Sequence, residues 1–277
     1  MADLNELQQI QNEAEQVNAL YGLFDENARL NRSQAARVEF LTTVRIVERY
    51  LRPGMRILDL GAGAGEYSLY FAGRGYAVDA LELADRNVQA FRAKLDAQAA
   101  AGRPLPVALR QGTALDLSAY PDASFDIVLV LGPLYHLHSE ADRQRCIAEA
   151  KRVCRPGGTL FFAFIGADMV HLTELMYDID FFKGDTYDHE TFKLVDFPFV
   201  FFTVDQCRAM LAAGGVEILT AAAADGVSEL LEDRINALDA ESYRQYLRYH
   251  FYCCEKPEML GRSNHLLFAG RAVPAQG

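Results

Sequence analysis

Thirteen residues, Arg56-Ile57-Leu58-Asp59-Leu60-Gly61-Ala62-Gly63-Ala64-Gly65-Glu66-Tyr67-Ser68, constrain this chain more than any other stretch. Arg56–Leu60 is a short apolar run, the pattern of a strand buried in a parallel sheet. Gly61, Gly63 and Gly65 break the run, and Tyr67–Phe71 resumes with helical spacing. Glycines at such a turn admit positive φ and let a ligand lie against bare backbone. The helix start behind them offers unpaired N–H groups to an anionic part of that ligand. Without a ligand, the same residues make a tight strand-to-helix turn.

A dinucleotide-binding loop reads G-x-G-x-x-G/A, with a small last residue. Here Gly61 and Gly63 fit, but the last position is Glu66, while Gly65 supplies a third glycine and Asp59 precedes Gly61 by two. The pattern D-x-G-x-G-x-G resembles motif I of the class I S-adenosylmethionine-dependent methyltransferases.

The 277 residues suffice for one large core, or one core with lids. No apolar run reaches transmembrane length, and the polar, acidic Met1–Asn18 is unlike a signal peptide. A soluble, cytoplasmic protein without membrane partners is expected. The net charge of −11 argues against nucleic acid as the main partner. Five cysteines and six histidines fall in no metal-ligand spacing, so no metal is expected.

Residues 4–20 have the pattern of an amphipathic helix, and Arg37–Leu51 of a second, closed by Pro53-Gly54. The aromatic and charged stretch Tyr21–Leu30 between them reads either as a surface loop or as a cap over a ligand pocket that includes Tyr21 and Arg29. Strand and helix alternate from Arg56 onward, the sign of a doubly wound parallel sheet. Strands are predicted at Arg56–Leu60, Ala77–Glu82, Val107–Gln111, Phe125–Leu131, Thr159–Phe164, Val216–Ala223 and His265–Arg271, with Arg155–Gly158 a turn. Residues 1–51 would be N-terminal helices capping the site, and residues 52–277 the catalytic domain.

Glu82 ends the second strand about twenty residues after the glycine loop, at the sheet edge where open α/β folds bind ligands. A carboxylate there can accept ribose hydroxyls and faces a sulfonium with favourable charge. Downstream, Gly112-Thr113-Ala114-Leu115-Asp116-Leu117 is similar to the family's adenine-binding G-D-A-x-D-L, and Arg152–Gly158 to its R-V-L-K-P-G-G turn. Leu131-Gly132-Pro133-Leu134-Tyr135-His136-Leu137 occupies the family's position beside the transferring methyl.

The resemblance covers residues 52–166 and implies an α/β, Rossmann-like sheet of seven strands, the last antiparallel. It implies S-adenosylmethionine held by Asp59, Gly61, Ala62, Gly63, Gly65, Tyr67, Glu82, Leu83, Ala114, Leu115, Asp116, Leu131 and Gly132. Asp116 or the backbone of Ala114 and Leu115 would take the adenine amine. Tyr135 and His136 stand nearest the chemistry, and a histidine can serve as general base near neutral pH; otherwise His136 only packs at the strand end. The closest likeness is to bacterial small-molecule methyltransferases carrying G-P-L-Y-H-L, a branch that also resembles azetidine-2-carboxylate synthases.

Methyl transfer to a small-molecule acceptor is the leading function. Its alternatives are cyclisation of S-adenosylmethionine to azetidine-2-carboxylate and a non-catalytic sensor of S-adenosylmethionine. Two aromatic-rich insertions, about 166–203 and 225–264, would leave and return over the pocket as one lid. Tyr177, His250, Asn264 and His265 would then face substrate. The alternative is a satellite aromatic core without ligand contact.

Overall fold

In the computed structural model, residues 4–10, 12–23 and 26–273 are described; Phe24 and Asp25 of the expected cap lie outside them. The strands are β1 (Arg56–Leu60), β2 (Ala77–Glu82), β3 (Val107–Gln111), β4 (Phe125–Val130), β5 (Cys154–Gly166), β6 (Phe201–Phe202), β7 (Val216–Ala223) and β8 (His265–Ala272). The helices are α1 (Leu4–Leu7), α2 (Glu13–Leu23), α3 (Arg37–Glu48), α4 (Glu66–Ala72), α5 (Asp85–Ala100), α6 (Glu140–Val153), α7 (Ala167–Tyr177), α8 (Val204–Ala213), α9 (Glu232–Asn236), α10 (Ala240–Cys253) and α11 (Pro257–Leu260).

The sheet runs β3-β2-β1-β4-β5-β8-β7, with β6 paired to the end of β5. Only β8 is antiparallel to its neighbours. Seven of the eight strands lie where the sequence places them. The additional one, β6, arises inside the first insertion, where Phe201 and Phe202 pair with Ile165 and Gly166. The expected turn Arg155–Gly158 is instead part of β5. Phe125 pairs with Cys154 and Ile127 with Thr159, so the four residues are absorbed as a bulge, with Gly157 at φ 79°. The helix expected over residues 4–20 is two helices, because Asn12 Oδ1 accepts from the N–H of Ala14 and Glu15 and starts α2 afresh.

Side-chain alternation divides the sheet between two cores. Leu58, Leu60, Val128, Val130, Leu160 and Phe162 pack on one face with Cys146 and Ile147 of α6 and Cys207 and Leu211 of α8. Ile57, Ile127, Leu129 and Phe161 face the other side, against Phe71 of α4 and Phe40, Val44 and Val47 of α3. This is the period-two reading of strands buried on both faces. The N-terminal helix α3 thus shares the core of the sheet.

The two insertions do meet: Tyr177 Oη donates to Glu229 at 2.9 Å, and Asn264 bonds both Thr173 and Glu229. They do so beside the cavity and not across it. The second insertion docks on α3 and the turn before it, with His250 Nε2 2.9 Å from Thr42 Oγ1 and Tyr243 Oη donating to the Gln34 carbonyl. In the first, Phe181, Tyr187, Phe182 and Phe192 gather round His171 as a satellite aromatic cluster.

Candidate active site

The main cavity opens at the carboxyl ends of β1, β2 and β4. Its floor is Gly61, Ala62, Gly63 and Ala64; Glu82, Leu83, Ala114 and Leu115 form one wall, and Leu131, Gly132, Pro133, Tyr135 and His136 another. Ala14, Val17, Tyr21, Glu26, Arg29 and Leu30 close it from the N-terminal segment.

The loop conformation follows from its glycines. Gly61, Gly63 and Gly65 have φ of 69°, 56° and 87°. A Cβ on Gly61 would stand 2.8 Å from Pro133 Cδ, so the glycine lets the loop after β4 close on the loop after β1. Gly65 plays a different part, because its Cβ would lie 2.3 Å from the Phe91 ring of α5. It fits helix to sheet and does not line the cavity. The Leu81 carbonyl accepts from the N–H of Gly61 and Ala62, tying the loop to β2.

Glu82 is buried at the cavity wall. Its Oε1 accepts from Ala84 N–H at 2.9 Å and Asn87 Nδ2 at 3.3 Å, and its Oε2 from Gly63 N–H at 2.8 Å. Burial raises its pKa, while these donors favour the ionised form. A carboxylate has about four acceptor positions; three are taken, and one is left open at the cavity wall. Apolar Leu83, Ala114 and Leu115 beside it suit the flat face of a base. Glycine cradle, carboxylate and apolar slot together fit S-adenosylmethionine.

Asp59 and Asp116 do not line the cavity. Asp59 is 1% exposed, its Oδ2 accepts from Ser68 Oγ at 2.7 Å, and burial lifts its pKa to about 6. It braces β1 against α4. Asp116 faces solvent and accepts from Ser118 N–H, which holds its pKa low. From the same segment, Gly112, Thr113, Ala114 and Leu115 line the cavity.

Tyr135 Oη donates to the Leu131 carbonyl at 3.0 Å, which fixes the loop after β4, and burial pushes its pKa up. His136 is 9% exposed, and burial pushes its pKa down to about 3. The ring is neutral at neutral pH and a far weaker base than an ordinary histidine. Its Nε2 lies 2.9 Å from Tyr21 Oη, and the Phe199 ring packs on it with centroids 5.2 Å apart. Phe199, with Val200 N–H donating to the Tyr135 carbonyl, is where the first insertion touches this loop.

Tyr177, His250, Asn264 and His265 do not line the cavity. The space over it is filled by α2 and by Glu26, Arg29 and Leu30, and the second insertion lies behind α3. His265 nevertheless reaches the wall indirectly. Its Nδ1 is 2.7 Å from Asp225 Oδ2 and 3.5 Å from Glu39 Oε2, and Glu39 accepts from Arg29 Nη1 at 2.6 Å. Burial alone would lower the pKa of His265; Glu39 and Asp225 overcome it and hold it up at about 9. Arg29 also bonds Glu26 at 2.8 Å.

Ala14, Val17, Pro133, Glu66 and Leu137 line the cavity without having been assigned a site role from the sequence. Pro133 carried a usable signal: a Gly-Pro step at a strand end, here opening a short 3-10 turn over Pro133–Tyr135. Ala14 and Val17 carried none beyond helical spacing.

Residues 58–162 match the family described as "Methyltransferase domain". Over 138 residues the chain is 34% identical to 27-O-demethylrifamycin SV methyltransferase of Amycolatopsis mediterranei, covering 46% of each protein. Over 136 residues it is 31% identical to the ubiquinone biosynthesis O-methyltransferase of Caulobacter vibrioides, covering 49% of this chain and 46% of that one. The match thus spans about half the length of these relatives. The fold is shared with the Burkholderia thailandensis 1,6-didemethyltoxoflavin-N1-methyltransferase, solved with 1,6-didemethyltoxoflavin and S-adenosylhomocysteine, at a TM-score of 0.54 and 15% identity over 99% of this chain and 92% of that one. Among the described residues no helix is long and apolar enough to cross a membrane. Residues 58–162 are thus similar to a methyltransferase domain, and the chain shares its fold with solved S-adenosylmethionine-dependent methyltransferases.

Proposed function

We propose that the protein transfers the methyl group of S-adenosylmethionine to a small-molecule acceptor by in-line displacement. The observation that carries this reading is the roofed cavity, with Glu82 and the glycine loop at one end and Tyr21 and His136 at the other. The cofactor supplies an activated methyl on a sulfonium; the chain supplies placement. Glu82 and the slot at Ala114 and Leu115 hold the nucleoside, and the backbone at Leu131 and Gly132 holds the methionyl end. An acceptor atom set about 3–3.5 Å from the methyl carbon, with water kept out, gains most of what such a reaction requires. Helix α2 and Glu26–Leu30 serve as the cap that keeps water out, with Ala14, Val17 and Leu30 as its apolar inner face, while α3 belongs to the core of the sheet.

The low pKa of His136 bears on how the acceptor arrives. Protonating a group with a pKa near 3 at neutral pH costs about 1.4 kcal/mol per unit of difference. His136 therefore acts with Tyr21 as a hydrogen-bonding pair that orients the acceptor, and the acceptor enters with its lone pair available. The two relatives above are methyltransferases by name, one of them an O-methyltransferase. A small, largely apolar acceptor with one polar reacting group suits walls made of Val17, Leu30, Leu137 and Tyr135.

The test is product analysis with methyl-labelled S-adenosylmethionine and a panel of phenols, hydroxy acids and amines. S-adenosylhomocysteine together with a labelled acceptor is expected. Methylthioadenosine with a cyclic amino acid, formed without acceptor, would replace methyl transfer by the cyclase reading. Tight cofactor binding with no turnover across extract fractions would leave the sensor.

A further inference from the structure

A second cavity lies at the opposite edge of the sheet, where the parallel strands begin. Arg49, Arg52, Arg155 and Arg271 line it, with Asp126 as its one acid. This concentration of positive charge stands out in a chain of net charge −11. Arg49 is paired with Glu255 at 3.0 Å, and Arg155 with Asp126 at 2.9 Å. Arg52 spends Nη1 on the carbonyls of Arg49 and Leu51, and the Arg271 guanidinium makes no ion pair among the described residues, its backbone pairing with Glu217 of β7. Two positive charges, on Arg52 and Arg271, are thus left without a carboxylate among the described residues.

Thr159 lines this cavity and is 3% exposed. The β4–β5 bulge makes the recess: Gly157 at φ 79° turns the chain outward, leaving Arg155 on the rim and Thr159 inside. Guanidinium groups present planar forks of donors that match phosphate oxygens.

We propose that this cleft binds a small phosphate-bearing anion, at a site separate from the methyl-transfer cavity. Arg52 and Arg271 supply the charge that a phosphate dianion matches, and the Thr159 hydroxyl donates to one of its oxygens. Arg155 spends Nε on the Ala123 carbonyl and Nη1 on Asp126, so its Nη2 adds a further donor at the rim. The place of the cleft at the strand starts keeps it clear of Glu82 and the glycine loop, so both sites can be filled together.

The test is calorimetric titration of the full chain at low ionic strength with inorganic phosphate, pyrophosphate and a sugar phosphate. Saturable binding of at least one is expected, weakened about tenfold or more by Arg271→Ala and by Arg52→Ala. Thr159→Val, which keeps the shape, should weaken it less. Cofactor affinity should be the same in Arg271→Ala as in the parent, and Arg103→Ala, an exposed arginine far from the cleft, should leave phosphate binding intact. Binding of free phosphate alone, or of the ester as well, separates an inorganic from an organic ligand, and either supports the site. No saturable binding of the three, or equal weakening by Arg103→Ala, overturns it.

Discussion

Tyr21 and His136 stand 115 positions apart in the chain, and the hydroxyl of one lies 2.9 Å from Nε2 of the other. This contact ties the cap helix α2 to the loop after β4. A net hydrogen bond of this kind contributes about 1 kcal/mol. Tyr21→Phe is expected to lower turnover about five- to tenfold and to speed hydrogen exchange in α2, with the melting temperature of the sheet core little changed. Exchange in α2 identical to that of the parent would show that the bond does not hold the cap.

His136 gives acid sensitivity of a definite sign. Its folded pKa is about 3, below the ordinary 6.5. Between these values the unfolded chain binds the proton and the folded chain does not, so stability falls as pH drops below 6.5 and levels off near 3. Asp59, held at about 6, works in the opposite direction between about pH 4 and 6. The His136 part is isolated as the difference between parent and His136→Gln. That difference should shrink steadily from about pH 7 to about pH 4 in denaturant titrations. A constant difference would mean that His136 titrates normally.

Glu82→Gln replaces one acceptor oxygen by an NH2 group that must face N–H donors of Gly63, Ala84 or Asn87. Charge-assisted hydrogen bonds are worth roughly 1.5–3 kcal/mol. Cofactor affinity should fall at least about tenfold by calorimetry, with a loss of stability alongside. Unchanged affinity in a folded variant would remove the ribose assignment.

Gly65→Ala should act on folding. Its φ of 87° disfavours a side chain, and the added Cβ would press on the Phe91 ring. Left-handed strain costs about 1–3 kcal/mol and overpacking about as much. A clear drop in melting temperature is expected, larger than for Gly75→Ala, where φ is also 87° but no atom lies within 4 Å. Equal drops would assign the whole effect to backbone strain.

Two residues of the first insertion should differ sharply. Phe199 packs on His136, whereas Tyr177 is 61% exposed and bonds Glu229. Phe199→Ala is expected to cut turnover about tenfold or more through misplacement of the loop after β4. Tyr177→Ala should leave turnover and substrate choice unchanged, with stability within about 0.5–1 kcal/mol. A turnover loss at Tyr177 would restore the lid that the geometry does not support.

Local rules determine much of this protein. The apolar run Arg56–Leu60, three glycines and a following helix can close only as a strand–turn–helix, and the position of Glu82 at the next strand end follows from strand length alone. That Glu82 and the segment Thr113–Leu115 share one cavity is likewise legible, because parallel strands deliver their carboxyl ends to one edge. The tertiary structure decided what covers that edge. Sequence spacing brings both aromatic insertions there, and it cannot rank them against a third segment competing for the same space. Helix α2 takes the cavity mouth, so the insertions pack on each other and on α3. Burial decided the rest: it leaves His136 neutral, with Glu39 and Asp225 keeping His265 charged, and turns Asp59 inward while Asp116 stays in water. Such differences depend on which groups lose solvent and which charges they meet, and residue order carries neither.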